Sequence, residues 1–276
     1  MKKTALLLIL FLVSYSVFSQ EKIKGSKIVT VEQKEVKEFE NLEVEDNLEV
    51  FLIKGDKSSV EIEADDNLHD IIVISTTGNT LQLSSSQEVS SAKKFSVRIT
   101  YTDGFKMLIA KDKTNITALA ELNLNEFTFK SFDDSKIYAN VKTKIFTLMA
   151  NDKSKIELNL KSEQTTIELS KNSRLKALIS SNQLVFDMYQ KTNAVIEGDT
   201  NTLKLRLDNN AEFTGKNLTS KNAEITTEGF ANCSIQVSVK AIIDASGKSE
   251  INLYGTQKIE MKNFIDTATL NKKSLK

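Results

Sequence analysis

One short phrase recurs through the second half of this chain: a polar residue, a small residue, any residue, then an apolar one. It reads Asp134-Ser135-Lys136-Ile137, Lys153-Ser154-Lys155-Ile156 and Asn172-Ser173-Arg174-Leu175. It continues as Thr192-Asn193-Ala194-Val195, Asn210-Ala211-Glu212-Phe213 and Asn232-Cys233-Ser234-Ile235. The last two are Lys248-Ser249-Glu250-Ile251 and Thr267-Ala268-Thr269-Leu270. The apolar members recur with a mean step of about 19 residues, the mark of a repeat architecture. A unit this short cannot bury its own apolar face, but stacked on its neighbours at the strand spacing of about 4.8 Å it can.

The residues between the anchors alternate with a period of two, as in Ile137-Ala139-Val141 and Ile156-Leu158-Leu160, which is the pattern of strands with one buried face. A second apolar run lies in each interval, for example Ile145-Phe146-Thr147-Leu148 and Leu203-Lys204-Leu205-Arg206-Leu207. Each repeat therefore reads as two short strands joined by polar corners. The small residues Ser135, Ser154, Ser173, Asn193, Ala211, Cys233, Ser249 and Ala268 are expected to lie above one another at a tight corner. An antiparallel sandwich also has many short strands. The register kept over eight repeats and the scarcity of Asn-Gly and Asp-Gly hairpin dipeptides, with Asp103-Gly104 the one instance, favour a coil. The expected fold is all-β: a parallel β-solenoid, right-handed by the general crossover preference, with clear repeats over 116–270.

Ahead of the repeats the chain is also strand-rich. Leu48-Glu49-Val50-Phe51-Leu52-Ile53, Val60-Glu61-Ile62-Glu63-Ala64 and Phe95-Ser96-Val97-Arg98-Ile99 alternate, and Gly78-Asn79 joins two further strands. Asp65-Asp66-Asn67-Leu68 reads as a turn or short helical cap. Glu32 to Asn41 reads as an irregular or strand-like entry. At the start, Lys2 and Lys3 precede an apolar run from Ala5 to Val13, too short to span a bilayer and typical of a signal peptide. Residues 1–19 are read as that peptide, 20–35 as a leader, and 36–276 as a single domain.

Composition excludes several functions. Removing Lys2 and Lys3 from 37 basic residues leaves 35 against 37 acidic ones. Such a near-neutral chain has no electrostatic basis for nucleic-acid binding. One cysteine makes no internal disulfide, and Cys233 reads as a small buried residue. His69, the one histidine, reads as a solvated turn residue. No Cys/His metal spacing or phosphate-cradling glycine loop occurs. Asp133, Asp134, Asp152, Asp187, Asp199 and Asp208 are the carboxylates that a polysaccharide-cleaving site would need. Their matching positions in later repeats become Lys171-Asn172, Lys191-Thr192 and Asn209-Asn210, which points to turn chemistry. Tyr138, Tyr189 and Tyr254 are candidate sugar-stacking residues, and most Phe residues are assigned to the core.

The opening pattern Phe39, Leu42, Val50, Leu52, Gly55, Val60, Ile62, Asp66-Asn67-Leu68, Gly78, Leu81 and Leu83 resembles the auto-transporter adhesin, head GIN domain family. The resemblance covers most of the chain from about Val36 and implies a right-handed β-helical fold and a place in the cell envelope or outside it. It brings no catalytic residues. The glycine-poor corners depart from the glycine-rich turns of that family. The expectation is a non-enzymatic, exported, adhesin-like or envelope interaction protein whose partners are glycans or proteins, with no catalytic, cofactor-binding or metal-ligating residues and no cofactors. A carbohydrate-active enzyme on the same scaffold is the alternative. Any functional contact is expected on outward residues such as Lys136, Lys155, Arg174 and Glu212.

Overall fold

The computed structural model describes residues 22–274; the proposed signal peptide lies outside them. The chain is nearly all β and winds into a solenoid of about nine turns. Six long strands form its body: Lys136–Ala150, Lys155–Leu169, Arg174–Met188, Asn193–Leu207, Glu212–Thr227 and Asn232–Ala245. Each pairs in parallel with the next, and Ile137, Ile156, Leu175, Ala194, Phe213 and Cys233 fall in one inward column.

Where two short strands per repeat are expected, each of these six coils carries one strand that bends without losing its ladder; the flanking coils keep separate short strands, as in Glu250–Tyr254 and Lys258–Phe264. The bend is visible in the burial pattern. Inward residues alternate to Thr143, two exposed residues follow at Lys144 and Ile145, and alternation resumes in the opposite phase at Phe146. The two legs become the two faces of the solenoid: a first face built from residues 136–143 and their equivalents, and a second from 145–150 and theirs. Hydroxyls hold the bend. Thr143 Oγ1 donates to the Ile145 carbonyl at 3.0 Å, and Ser181, Thr200 and Ser220 make the same bond two residues on, at 2.9, 3.0 and 2.9 Å. Each satisfies a carbonyl that the bend turns away from the ladder.

The other corner is tighter. Four residues before each inward anchor, the backbone enters the left-handed region: Asp112, Asp133, Asp152, Lys171, Gln190, Asn209, Gly229, Gly247 and Asp266 have φ of 55, 56, 57, 59, 63, 61, 70, 71 and 58°. The reverse turn closes locally, as in Ser135 N–H to the Phe132 carbonyl at 3.2 Å. The left-handed residue also offers its own carbonyl to the next coil. Lys153 donates to Asp133, Asn172 to Asp152, Lys248 to Gly229 and Thr267 to Gly247, at 2.8, 2.8, 2.6 and 2.9 Å. Asp and Asn tolerate this conformation and glycine adopts it freely, so the repeats turn with few glycines. Coils are packed closely here: a Cβ on Gly247 would stand 2.7 Å from the Gly229 carbonyl oxygen.

The register corrects two assignments. The small corner column is Thr114, Ser135, Ser154, Ser173, Thr192, Ala211, Ala231, Ser249 and Ala268, so Asn193 and Cys233 do not belong to it. The inward anchors are Ala194 and Cys233, whereas Val195 points outward and is 36% exposed. Cys233 is nonetheless small and fully buried, and burial pushes its thiol up to about 12, which keeps it inert.

The core is continuous along the axis. Inward Ile and Leu columns run its length, each fully buried side chain stabilising by roughly 1.5–3 kcal/mol. Near the start an aromatic string passes from Tyr101 to Phe105, Phe127, Phe129 and Phe146, with ring centroids 5.0, 4.9, 5.0 and 5.6 Å apart. The assignment of most Phe residues to the core holds.

The first coils are closed by antiparallel pairing. Ser59–Asp65 lies between Val29–Glu35 and Phe95–Tyr101, antiparallel to both. Ile72–Thr77 and Thr80–Ser85 form a hairpin through Gly78-Asn79, with Gly78 at φ 59°. Asp103-Gly104 makes no hairpin; it leads into Met107–Ala110, which pairs in parallel with Asn41–Val44 and Glu126–Ser131. Residues 20–35, read as a leader, thus contribute Val29–Glu35 to the sheet. Asp66–Ile71 is a 3-10 helix. His69 sits on it and, contrary to a solvated turn residue, is only 9% exposed, because the Val29–Glu35 strand covers it; its Nε2 lies 2.9 Å from Thr30 Oγ1.

Asp65 ties this entry together. Its buried carboxylate accepts from the backbone N–H groups of Lys27, Lys93 and Lys94 at 2.9, 3.1 and 3.0 Å. Burial pushes its pKa up, but these donors outweigh burial and leave it below the ordinary aspartate value. A lowered folded-state pKa means stability that is present above the unfolded value, about 3.9, and lost as pH falls through the folded value. Acid titration of thermal unfolding should show this loss in the native chain, and Asp65→Asn should be less stable at neutral pH with a flatter acid limb. An unchanged acid limb in Asp65→Asn would remove Asp65 from the linkage.

The corner column gives a second expectation, in opposite directions at two equivalent sites. Lys171→Gly relieves a side chain held at positive φ and should raise the stability read from urea unfolding, by up to about 1 kcal/mol. Gly247→Ala should lower it by about 1–3 kcal/mol, from strain and collision with Gly229. Equal effects of the same sign would contradict the corner geometry.

Candidate binding surface

Strand alternation sends residues 136, 138, 140 and 142 and their equivalents to the outside of the first face. Parallel register then stacks them in columns: Lys136, Lys155 and Arg174; Tyr138, Glu157 and Lys176; Asn140, Asn159 and Leu178; Lys142, Lys161 and Ser180. Between the outer columns the sheet dips. Ala139 and Ala177 form part of the floor, where small side chains let the strands curve inward. The depression is a groove of about 610 Å³, walled by Tyr138, Asn140, Glu157, Asn159, Lys176 and Leu178, with Val195 and Glu197 at its far end.

The groove mixes apolar and polar groups. Tyr138 and Leu178 are 37% and 52% exposed. Asn159 Nδ2 donates to Asn140 Oδ1 at 2.7 Å, one step of an amide ladder, and Asn217 Nδ2 donates to Glu197 Oε1 at 3.3 Å. Lys136, Lys155 and Arg174 continue in register to Asn193 and Glu212, which bond to each other at 3.0 Å. The outward residues expected to carry any contact therefore form the column next to this groove, and Arg174 and Glu212 line a separate depression with Asn172, Lys191 and Asn193.

A second depression of about 290 Å³ lies on the other face, lined in part by Lys204, Glu224 and Lys240. Two of these three charges are paired within the chain. Glu224 accepts from Lys262 at 2.7 Å, which lowers its pKa, and Lys240 pairs with Glu260 at 2.7 Å.

The carboxylates singled out in the sequence do not converge on one site. Asp133 and Asp152 occupy the left-handed corner. Asp133 Oδ2 accepts the Asp112 N–H at 3.2 Å, and Asp152 Oδ1 accepts from Lys171 Nζ at 2.6 Å. Asp208 Oδ1 caps the N–H of Asn209 at 2.6 Å, and Asp199 accepts from Ser180 on the first face at 3.3 Å. Asp187 lies on the second face, paired in register with Glu168 and Arg206. Burial raises its pKa, opposed by Arg206 and Lys204. Most of these acids serve the turns. Among the described residues, no group of three or more His, Cys, Asp or Glu is arranged to hold a metal ion, and no helix is long and apolar enough to cross a membrane.

The groove residues Asn140, Asn159, Leu178 and Val195 were not singled out in the sequence. Val195 was read as an inward anchor, which hid it. Aligning the coils on the left-handed corner rather than on the recurring phrase would have placed all four in outward columns.

Similarity to known proteins agrees with this fold. The family model described as putative auto-transporter adhesin, head GIN domain, matches residues 38–178 and 143–256. Among solved structures, a putative adhesin from Parabacteroides merdae ATCC 43184 superposes with a TM-score of 0.66 at 16% identity, covering 93% of this chain and 100% of that one. A putative adhesin from Parabacteroides distasonis ATCC 8503 gives 0.65 at 17%, covering 91% and 100%. A putative lipid binding protein from the same strain gives 0.61 at 13%, covering 93% and 100%. At these identities the likeness is one of fold. No curated protein matches the sequence. With the family model spanning most of its length, the chain belongs to the putative auto-transporter adhesin, head GIN domain family.

Proposed function

We propose that this protein is an exported, non-enzymatic, adhesin-like interaction protein, delivered by a signal peptide at residues 1–19, and that the first-face groove is its contact surface. One observation carries the reading: an exposed Tyr138, an exposed Leu178 and an amide ladder share one groove on a rigid sheet. Strands paired on both sides hold these side chains in fixed columns, so the surface is preorganised and ordering it on contact costs little. The acids that a hydrolase or lyase would need are divided between the corners and the two faces and do not share one site, which supports binding without turnover. The names carried by the family and by two of its structural relatives point the same way, while the third is named for lipid binding.

Protease treatment of intact cells should digest the protein, and purified chain should block attachment of those cells to their substratum. A chain carrying Tyr138→Ala and Leu178→Asp should fold yet fail to block. Polysaccharide incubated with the chain should keep its length. Cleavage abolished by Asp134→Ala or Asp152→Ala would instead establish an enzyme, and full blocking by the groove variant would remove the groove from the contact.

A further inference from the structure

Charge on the first face is not spread evenly. On the first three long strands its outward positions carry six exposed cations, Lys136, Lys142, Lys155, Lys161, Arg174 and Lys176, against one carboxylate, Glu157. On the next two, the outward acids are Glu197, Asp199 and Glu212. The whole chain carries formal net charge +0, so the positive half is a local arrangement. The cations are also unspent. The ion pairs among the described residues are made by other side chains, and none uses any of these six. Elsewhere on the solenoid, cations such as Lys171, Lys240 and Lys262 are paired with acids.

Position gives these charges a use. Lys136, Lys155 and Arg174 form the outward column next to one wall of the groove, Lys142 and Lys161 the column next to the other, and Tyr138 with the Asn140–Asn159 pair lies between. Successive cations in a column stand one strand apart, about 4.8 Å. A linear anion lying along the solenoid axis, across the strands, would meet a cation on each side at the first two of these coils and Arg174 on one side, with Ser180 on the other, at the third. The floor offers an aromatic face for a sugar ring and amide groups that both donate and accept to hydroxyls. The long strands here are paired on both sides, so a peptide finds no free edge to extend. The acidic half beyond Val195 would repel any polyanion that ran past it, so the bound stretch spans about three coils.

Resting on the reading of this groove as the contact surface, we propose that its ligand is an acidic polysaccharide, with sugar rings on Tyr138 and the amide ladder and carboxylate or sulfate groups between the two lysine columns.

Fluorescently labelled polygalacturonate, dextran sulfate, neutral dextran and single-stranded DNA, titrated with the purified chain, test this. The two acidic polysaccharides should bind saturably and weaken with added salt, and neutral dextran should not bind. Their relative affinities separate carboxylate from sulfate recognition. Lys155→Glu with Arg174→Glu should weaken binding at least about tenfold, as should the independent pair Lys142→Glu with Lys161→Glu. Glu168→Lys, on the second face and outside the groove, should leave it unchanged. These are exposed positions, and an unchanged thermal midpoint verifies folding. Tyr138→Ala should weaken the polysaccharides. Unaltered binding by both charge-reversed variants would overturn the proposal, as would equal binding of neutral dextran or DNA, or no polysaccharide binding at all. If cell attachment still depends on Tyr138 and Leu178 in any of those cases, the ligand assignment fails and the adhesin-like reading stands. If attachment ignores the groove, both fail.

Discussion

Each repeat turns at one backbone position held in the left-handed region, and at Asp133, Asp152, Asn209, Gly229 and Gly247 the carbonyl of that residue accepts an N–H from the next coil. This contact joins local conformation to long-range order. It reverses the chain four residues before the inward anchor, which sets which side chains face the core. It also fixes each coil against its neighbour. A slip of one residue would exchange inward and outward sets along the whole strand. Asp, Asn and Gly supply most of the column, each able to adopt positive φ at low cost. Lys171 and Gln190 occupy it as well, and there the stacked coils hold a conformation that the residue alone would not choose.

The second corner uses different chemistry for the same end. A hydroxyl at 143, 181, 200 and 220 bonds a carbonyl two residues on, so the strand bends without abandoning its ladder. With both corners fixed, the two faces are rigid and the outward columns follow from register. The groove is a consequence of this order: where small inward residues let the first face dip, columns of unlike chemistry come together across strands.

The period, the strand content and the strand-rich opening were legible because alternation and spacing record them directly. The phrase that revealed the period was less exact than the corner beneath it. Thr192-Asn193-Ala194-Val195 satisfies the phrase with its apolar member outward, and in Asn232-Cys233-Ser234-Ile235 the anchor column is held by Cys233, with Ile235 buried two residues further on. Local irregularities near these coils, seen as register shifts at 195–197 and 215–219, let a four-residue pattern slide where a buried column cannot. His69 was misread because its cover comes from Thr30 and Glu32, far away in sequence. The groove was illegible for a similar reason. Its members lie one coil apart, and only curvature of the sheet makes them neighbours. The cations were visible, and indeed Lys136, Lys155 and Arg174 were singled out, but their freedom from ion pairs is a property of the folded surface.

If the corner column is what sets the fold, a coil is removable as a whole and not in part. Deleting residues 155–173 joins Ser154 to Arg174, in phase with the junction that Ser173 makes naturally. Deleting 155–172 leaves one residue too many before the next anchor. Urea unfolding followed by far-ultraviolet circular dichroism compares the two chains directly. The in-phase deletion should keep a β spectrum and a cooperative transition, whereas the out-of-phase deletion should lose cooperativity. Equal behaviour of the two chains would contradict the claim that the left-handed corner dictates the register of the solenoid.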